Sequence, residues 1–173
     1  MAINFNLLKQ WWNKDKTFKM LIPSTVLLIL SFFTHINIFG FLTWIFLFTI
    51  FDSLGFYLLQ VIEKYKNNDF ENIAYRTIQI ITQVILTLLI YFMCGWKAAL
   101  AGNIAWWFTT CDKMFYMFRN EPDYGGNREA EYIWLNNWSI FFILKFFGVK
   151  TYTREFTTMA TLGLVLGSII CFL

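Results

Sequence analysis

Apolar residues arrive in this chain as long blocks separated by short polar breaks. From Met20 to Phe51 there is no Asp, Glu, Lys or Arg. One helix crossing a hydrocarbon layer of about 30 Å needs about 20 residues at 1.5 Å each, so this block must hold two helices. The polar step His35-Ile36-Asn37, followed by Gly40, marks the division. It predicts helices over 19–35 and 38–62, joined by a connection so short that they form an antiparallel hairpin. The stretch EKYKNNDFENIAYR, 63–76, reads as a solvated loop with a helical end. A third helix is predicted over 77–95 and, after the turn Gly95-Trp96-Lys97, a fourth over 98–118. Pro122 and Gly125-Gly126 forbid a continuous helix through 119–132. The segment 132–149 is apolar but carries Asn136, Asn137 and Lys145, and its uncharged part is short for a crossing. The final block, 156–173, is long enough to cross once.

The predicted fold is all-α: a polytopic membrane bundle of about five transmembrane helices plus one interfacial or re-entrant helix at 132–149. If that segment crosses, the number becomes six. Composition supports this class. The chain has 173 residues, 58% of them hydrophobic and only 14% charged. Soluble domains carry about 25% charged residues, so this chain is too poor in charge to cover a water-facing surface. The segments of about ten alternating residues that a transmembrane barrel requires are not visible. Residues 1–18, with Trp11-Trp12 among Lys9, Lys14 and Lys16, read as an amphipathic segment lying on the membrane, without the cleavage pattern of a signal peptide. Residues 19–173 form a single transmembrane domain. The basic N-terminal cluster places that end in the cytoplasm.

The net charge of +3 follows membrane topology rather than a nucleic-acid-binding face, so no nucleic-acid partner is expected. Three widely separated cysteines and one histidine leave no disulfide framework and no common zinc site. His35 reads as a polar turn residue. No Walker, dinucleotide, HExxH, GxSxG or haem motif occurs, and no cofactor is expected. The acids of 120–131 read as a solvated loop.

Chemistry is signalled instead by two short stretches, FTIFD (48–52) and FTTCD (108–112), each holding an acid in an apolar block. An acidic side chain at the bilayer centre costs ~2.5–3.5 kcal/mol on the insertion scale, and such residues usually serve function. Thr49 precedes Asp52 by three residues and Thr109 precedes Asp112 by three, so each hydroxyl shares a helix face with its carboxylate and is placed to donate to it. Tyr116, four residues after Asp112, is placed likewise. Both acids fall on helices running in the same direction, as parallel repeats would. Asp52, about 16 Å from Glu63 at helical rise, is expected near mid-bilayer, and Asp112 closer to water. These five residues are the candidates for a proton, cation or substrate site. Asn103 is expected to bond helix 3 through Gln79 or Gln83. Trp44 and Trp106-Trp107, inside helices, fit either a pocket lining or packing against lipid. Gly163 and Gly167 form a GxxxG pattern suited either to a homo-oligomer or complex seam or to close packing within the bundle. Three functions fit: a carrier for a small solute that uses the acids to bind a proton or cation; an intramembrane enzyme with an Asp pair acting on a lipid or buried peptide; or a non-catalytic subunit of a membrane complex.

Overall fold

His35 ends the first long helix in the left-handed conformation, with φ 56°, and its N–H bonds the carbonyl of Ser31 at 2.9 Å. Two residues later a second helix begins, so the hairpin falls at the polar step read from the sequence. The computed structural model describes residues 17–61, 69–119 and 153–173, together with Asn6, Lys9, Ile140, Ile143, Phe147 and Gly148. A single 3-10 turn, Thr17–Met20, leads into α1 (Leu21–Thr34), α2 (Asn37–Val61), α3 (Asp69–Cys94), α4 (Trp96–Trp107), α5 (Thr110–Arg119) and α6 (Thr153–Phe172). Pro23 falls in the first turn of α1, where its missing N–H breaks no helical bond. Among the described residues there is no strand. The interfacial segment expected over 1–18 and the helix expected at 132–149 lie outside the described residues, apart from the isolated positions named and the start of the 3-10 turn at Thr17.

Helix α2 is the hub and touches each of the other five helices. It packs antiparallel to α3: Asn37 lies against Gly95 at one level, and Asp52 meets Gln79 lower down. It runs parallel to α4, with Gly40 against Ala98 and Trp44 against Gly102. The approach of α4 is close because its inner face is small. Ala98, Ala99, Ala101, Gly102 and Ala105 are all buried, and a Cβ added at Gly102 would lie 2.5 Å from the Trp44 indole. Trp44 stacks on Phe48 with ring centres 5.2 Å apart, and Phe48 meets Trp106 edge-on at 6.3 Å. Trp44 and Trp106 thus belong to the core and its margin, while Trp107 faces outward. Gly163 and Gly167 are likewise used inside the chain. A Cβ at Gly163 would lie 2.6 Å from Phe108 and Thr110 atoms, and one at Gly167 would lie 2.5 Å from the Phe41 ring.

The core is mainly apolar but encloses a set of polar side chains. Buried side chains include Ser24, Ser31, Thr43, Thr49, Asp52, Ser53, Gln79, Thr109 and Thr110. Several of these hydroxyls bond helix carbonyls: Ser24 to Leu21 and Thr43 to Phe39, both at 2.8 Å. The outward faces of α1, α3 and α6 carry large apolar residues instead, among them Ile22 (74% exposed), Phe33 (75%) and Phe92 (79%). Two stretches, Asn37–Gly55 and Tyr75–Cys94, are long and apolar enough to cross a membrane, with mean hydropathy 1.8 and 1.9. The first is largely buried and the second largely exposed.

Two expected elements differ from those observed. The helical end expected of the loop 63–76 begins at Asp69 and is continuous with the third helix, which therefore starts eight residues before the predicted 77. The helix predicted over 98–118 is broken at Phe108–Thr109, between α4 and α5. Thr109 has φ 64°, in the left-handed region, and its N–H bonds Trp106 rather than continuing the α pattern. Tertiary contacts hold the break: Thr110 donates from Oγ1 to the Ala160 carbonyl of α6 at 2.8 Å, and Gly163 sits under Phe108 and Thr110.

Candidate functional site: a buried carboxylate and its donors

Asp52 is 4% exposed and faces α3. Tyr75 and Gln79, four residues apart, share one face of α3 and both reach it. The Tyr75 hydroxyl donates to Asp52 Oδ1 at 2.6 Å, and Gln79 Nε2 donates to the same oxygen. Gln79 Nε2 also lies 3.1 Å from Tyr75 Oη as a donor, closing a three-membered ring of hydrogen bonds. Arg76 donates from its guanidinium to Gln79 Oε1, and that guanidinium lies 4.9 Å from the centre of the Tyr75 ring. Arginine can only donate, so it fixes which end of the Gln79 amide faces it. The other end, the NH2 group, must then face the carboxylate. The network runs in one direction, from guanidinium through amide to carboxylate. Buried polar groups this fully engaged hold their geometry tightly.

The candidates read from sequence divide. Asp52 lies on α2 and Asp112 on α5, and α5 packs against α2. Asp112, in the first turn of α5, is only partly buried. Thr49 is buried but donates to the Ile45 carbonyl at 2.9 Å, four residues back in its own helix. Its one proton is thereby committed to the backbone, and the expected Thr49–Asp52 bond is replaced by the bonds from Tyr75 and Gln79. A hydroxyl one turn from a carboxylate on a helix also has a carbonyl within reach, and the carbonyl wins here. Thr109 is fully buried and its Oγ1 has no hydrogen-bond partner. The two FT-x-x-D stretches therefore differ in backbone: Thr49 continues a helix and Thr109 interrupts one. Tyr116 lies on α5, and its side chain is outside the described residues.

The residues that complete the site, Tyr75 and Arg76 with Gln79, lie where the sequence reads as loop or as the start of the third helix. Their signal was a period of four: Tyr75, Gln79, Gln83 and Thr87 form a polar stripe on α3. The upper half of that stripe meets α4. Gln83 Nε2 donates to Asn103 Oδ1 at 2.8 Å, and Asn103 Nδ2 donates to Thr87 Oγ1 and to the Ala99 carbonyl, each at 2.8 Å. Of the two partners foreseen for Asn103, Gln83 is the one it takes. No group of three His, Cys, Asp or Glu side chains suited to a metal occurs among the described residues.

Comparison with known proteins adds no family: no family model, no curated protein and no solved structure matches the chain.

Proposed function

We propose that this chain is a polytopic membrane protein that carries a small solute across the bilayer, with Asp52 as the buried site for a coupling proton or cation. What supports the membrane reading is the apolar outer face together with the polar groups enclosed in the core. Large apolar side chains cover the outside of α1, α3 and α6, while hydroxyls, an amide and a carboxylate are enclosed. Water would favour the reverse, and patches of this extent mark contact with lipid or protein. The small inner face of α4 and the two α6 glycines suit helices that associate by close packing rather than by the hydrophobic effect. α1 and the Phe156–Phe172 stretch of α6 are shorter apolar helices, and in this reading they supply further crossings, with α4 and α5 as one broken crossing. Broken helices inside a membrane are used where the backbone lines a site.

The observation that carries the functional reading is the hydrogen-bonded Asp52 between α2 and α3. Taking the level of Asn37 and Gly95 as one edge, Asp52 lies about 22 Å along its helix. A hydrocarbon core of about 30 Å then puts the acid roughly three quarters of the way across, deeper toward the cytoplasmic face than the mid-bilayer position expected from sequence. Asp52, Asp112 and Arg76 sum to one negative charge when all are ionised.

The packing of α5, which carries Asp112, on α2, which carries Asp52, favours a second reading, an acid pair acting on a lipid or buried peptide. Purified full-length protein in liposomes separates the two. Solutes from a panel of amino acids, sugars and organic cations are offered under an imposed pH gradient. The carrier reading expects gradient-driven uptake of at least one, lost in Asp52→Asn. If no solute moves and lipid or peptide is cleaved in an Asp52-dependent way, the enzyme reading replaces it.

A further inference from the structure

We propose that two copies of this chain associate in the bilayer through the groove between α3 and α4, with Gln83 bonded to Gln83 of the partner subunit. This rests on the membrane half of the reading above and not on carriage of a solute.

The groove is built from two helix faces with the same spacing. Ile80, Gln83 and Thr87 follow one another at three and four residues on α3, and Leu100, Asn103 and Trp107 do so on α4. The Gln83–Asn103 bond, at 2.8 Å, lays these faces side by side. Ile80, Leu100 and Trp107 are exposed, and Gln83, Thr87 and Asn103 are half-buried between them. The groove is thus polar at its centre and apolar at its margins. Counted from Gly95, Thr87 and Asn103 lie about 12 Å and Gln83 about 18 Å into a hydrocarbon layer of about 30 Å. The polar centre falls at mid-depth, where neither water nor headgroups reach it.

The orientation of the amides is fixed from the backbone outward. Asn103 Nδ2 donates to the Ala99 carbonyl, which can only accept, so Asn103 Oδ1 is the end that faces Gln83. Gln83 spends one N–H on that oxygen. Its other N–H and its carbonyl Oε1 meet no partner among the described residues, and Oε1 is not enclosed. Hydroxyls on the outer faces of α1 and α6 have no such need. Thr25, Thr34, Thr161 and Ser168 each donate to the carbonyl four residues back in their own helix.

An open donor and an open acceptor in hydrocarbon cost free energy until another protein group meets them, and acyl chains offer neither. A second amide with the same two valences open satisfies both at once. Two copies inserted in the same sense are related by an axis along the membrane normal, which brings a residue beside the axis to the depth of its own counterpart. Gln83 then gives its second N–H to Oε1 of Gln83 of the partner subunit and receives one in return. Ile80, Leu100 and Trp107 close around the pair and exclude lipid from it. The α6 glycines do not supply this seam, because Phe41, Phe108 and Thr110 already fill the space over them. Ile81 and Ile85, on the far side of α3, stay in lipid.

Energy transfer between donor- and acceptor-labelled full-length chains in liposomes, followed as the protein is diluted with lipid, tests the proposal. The wild type is expected to follow a two-copy equilibrium. Gln83→Leu is expected to weaken it about eightfold, the average worth of two bonds between membrane helices. Ile85→Val is expected to leave it unchanged. Disulfide trapping reads the same seam with the amide intact. Ile80→Cys is expected to cross-link between copies and Ile81→Cys is not, the three native cysteines being buried. Absence of energy transfer in the wild type at every dilution would leave the groove to lipid or to a different protein and overturn the proposal. Wild-type association in Gln83→Leu, or cross-linking at Ile81 rather than Ile80, would overturn the seam. No solute moves in these assays, so a failure here is distinct from a failure of the carrier reading.

Discussion

Tyr75 Oη and Asp52 Oδ1, 2.6 Å apart, join α3 to α2 through a bond from a hydroxyl to a buried carboxylate. The two residues come from helices separated by the polar break after Val61, so the bond fixes the register of one hairpin against the other.

Tyr75→Phe removes the donor and leaves the ring. Hydrogen bonds to charged groups contribute ~1.5–3 kcal/mol, so unfolding of the reconstituted protein is expected to become easier by about that amount. The Gln79 donor remains, which keeps the loss toward the lower end. Stability equal to wild type, measured by reversible unfolding in mixed micelles, would show that the bond is not holding the two helices.

Gly102→Val adds bulk where a single Cβ already falls 2.5 Å from the Trp44 ring. Overpacking of this kind costs ~1–3 kcal/mol, and a rigid indole against backbone puts it at the upper end. Leu164→Val, on the exposed face of α6, is the control and is expected to change little. Comparable losses from both, in the same micelle unfolding assay, would contradict the packing described.

Asn103→Leu breaks the Gln83–Asn103–Thr87 cluster. Bonds between membrane helices are worth ~0.6 kcal/mol on average, so the expected loss is small. The double variant Gln83→Leu, Asn103→Leu is expected to recover part of it, because no amide is then left without its partner. A loss several times larger, or a double variant worse than the sum of the singles, would mean that the cluster does more than join α3 to α4.

Thr109→Gly is expected to stabilise the protein. A β-branched residue at φ 64° is held against its preference, and the left-handed conformation costs ~1–2 kcal/mol for residues with a Cβ. The Thr109 hydroxyl has no partner to lose. A gain of about 1 kcal/mol in the same assay is the expected result. A loss of stability would show that the side chain is needed where it stands.

The hairpin at His35, the turn at Gly95 and the long helices between them were legible because each depends on local composition: apolar runs, breaks and a bilayer-sized length. Asp52 was legible for the same reason, as a charge inside an apolar run. Its partners were not. The donors to Asp52 sit in Tyr75-Arg76 and Gln79, which a loop-like composition just upstream concealed, and pairing across two helices leaves no short-range mark. The local bond foreseen from Thr49 failed because the Ile45 carbonyl was nearer at hand. The break at Thr109 was hidden because its causes, the Ala160 carbonyl and the small surface of Gly163, lie some fifty residues along the chain.

The central claim is that α3 turns its apolar face to lipid while its polar face holds Asp52. A nitroxide scan along α3 of the full-length protein in bilayers tests it, comparing collision with dissolved oxygen and with a water-soluble nickel chelate. Labels at Ile81, Val84, Ile85, Leu88 and Phe92 are expected to collide with oxygen and not with nickel, while labels at Gln79, Leu86 and Ile90 are shielded from both, giving a helical period. Nickel reaching the Ile81–Phe92 face as freely as it reaches a water-exposed loop would contradict the account.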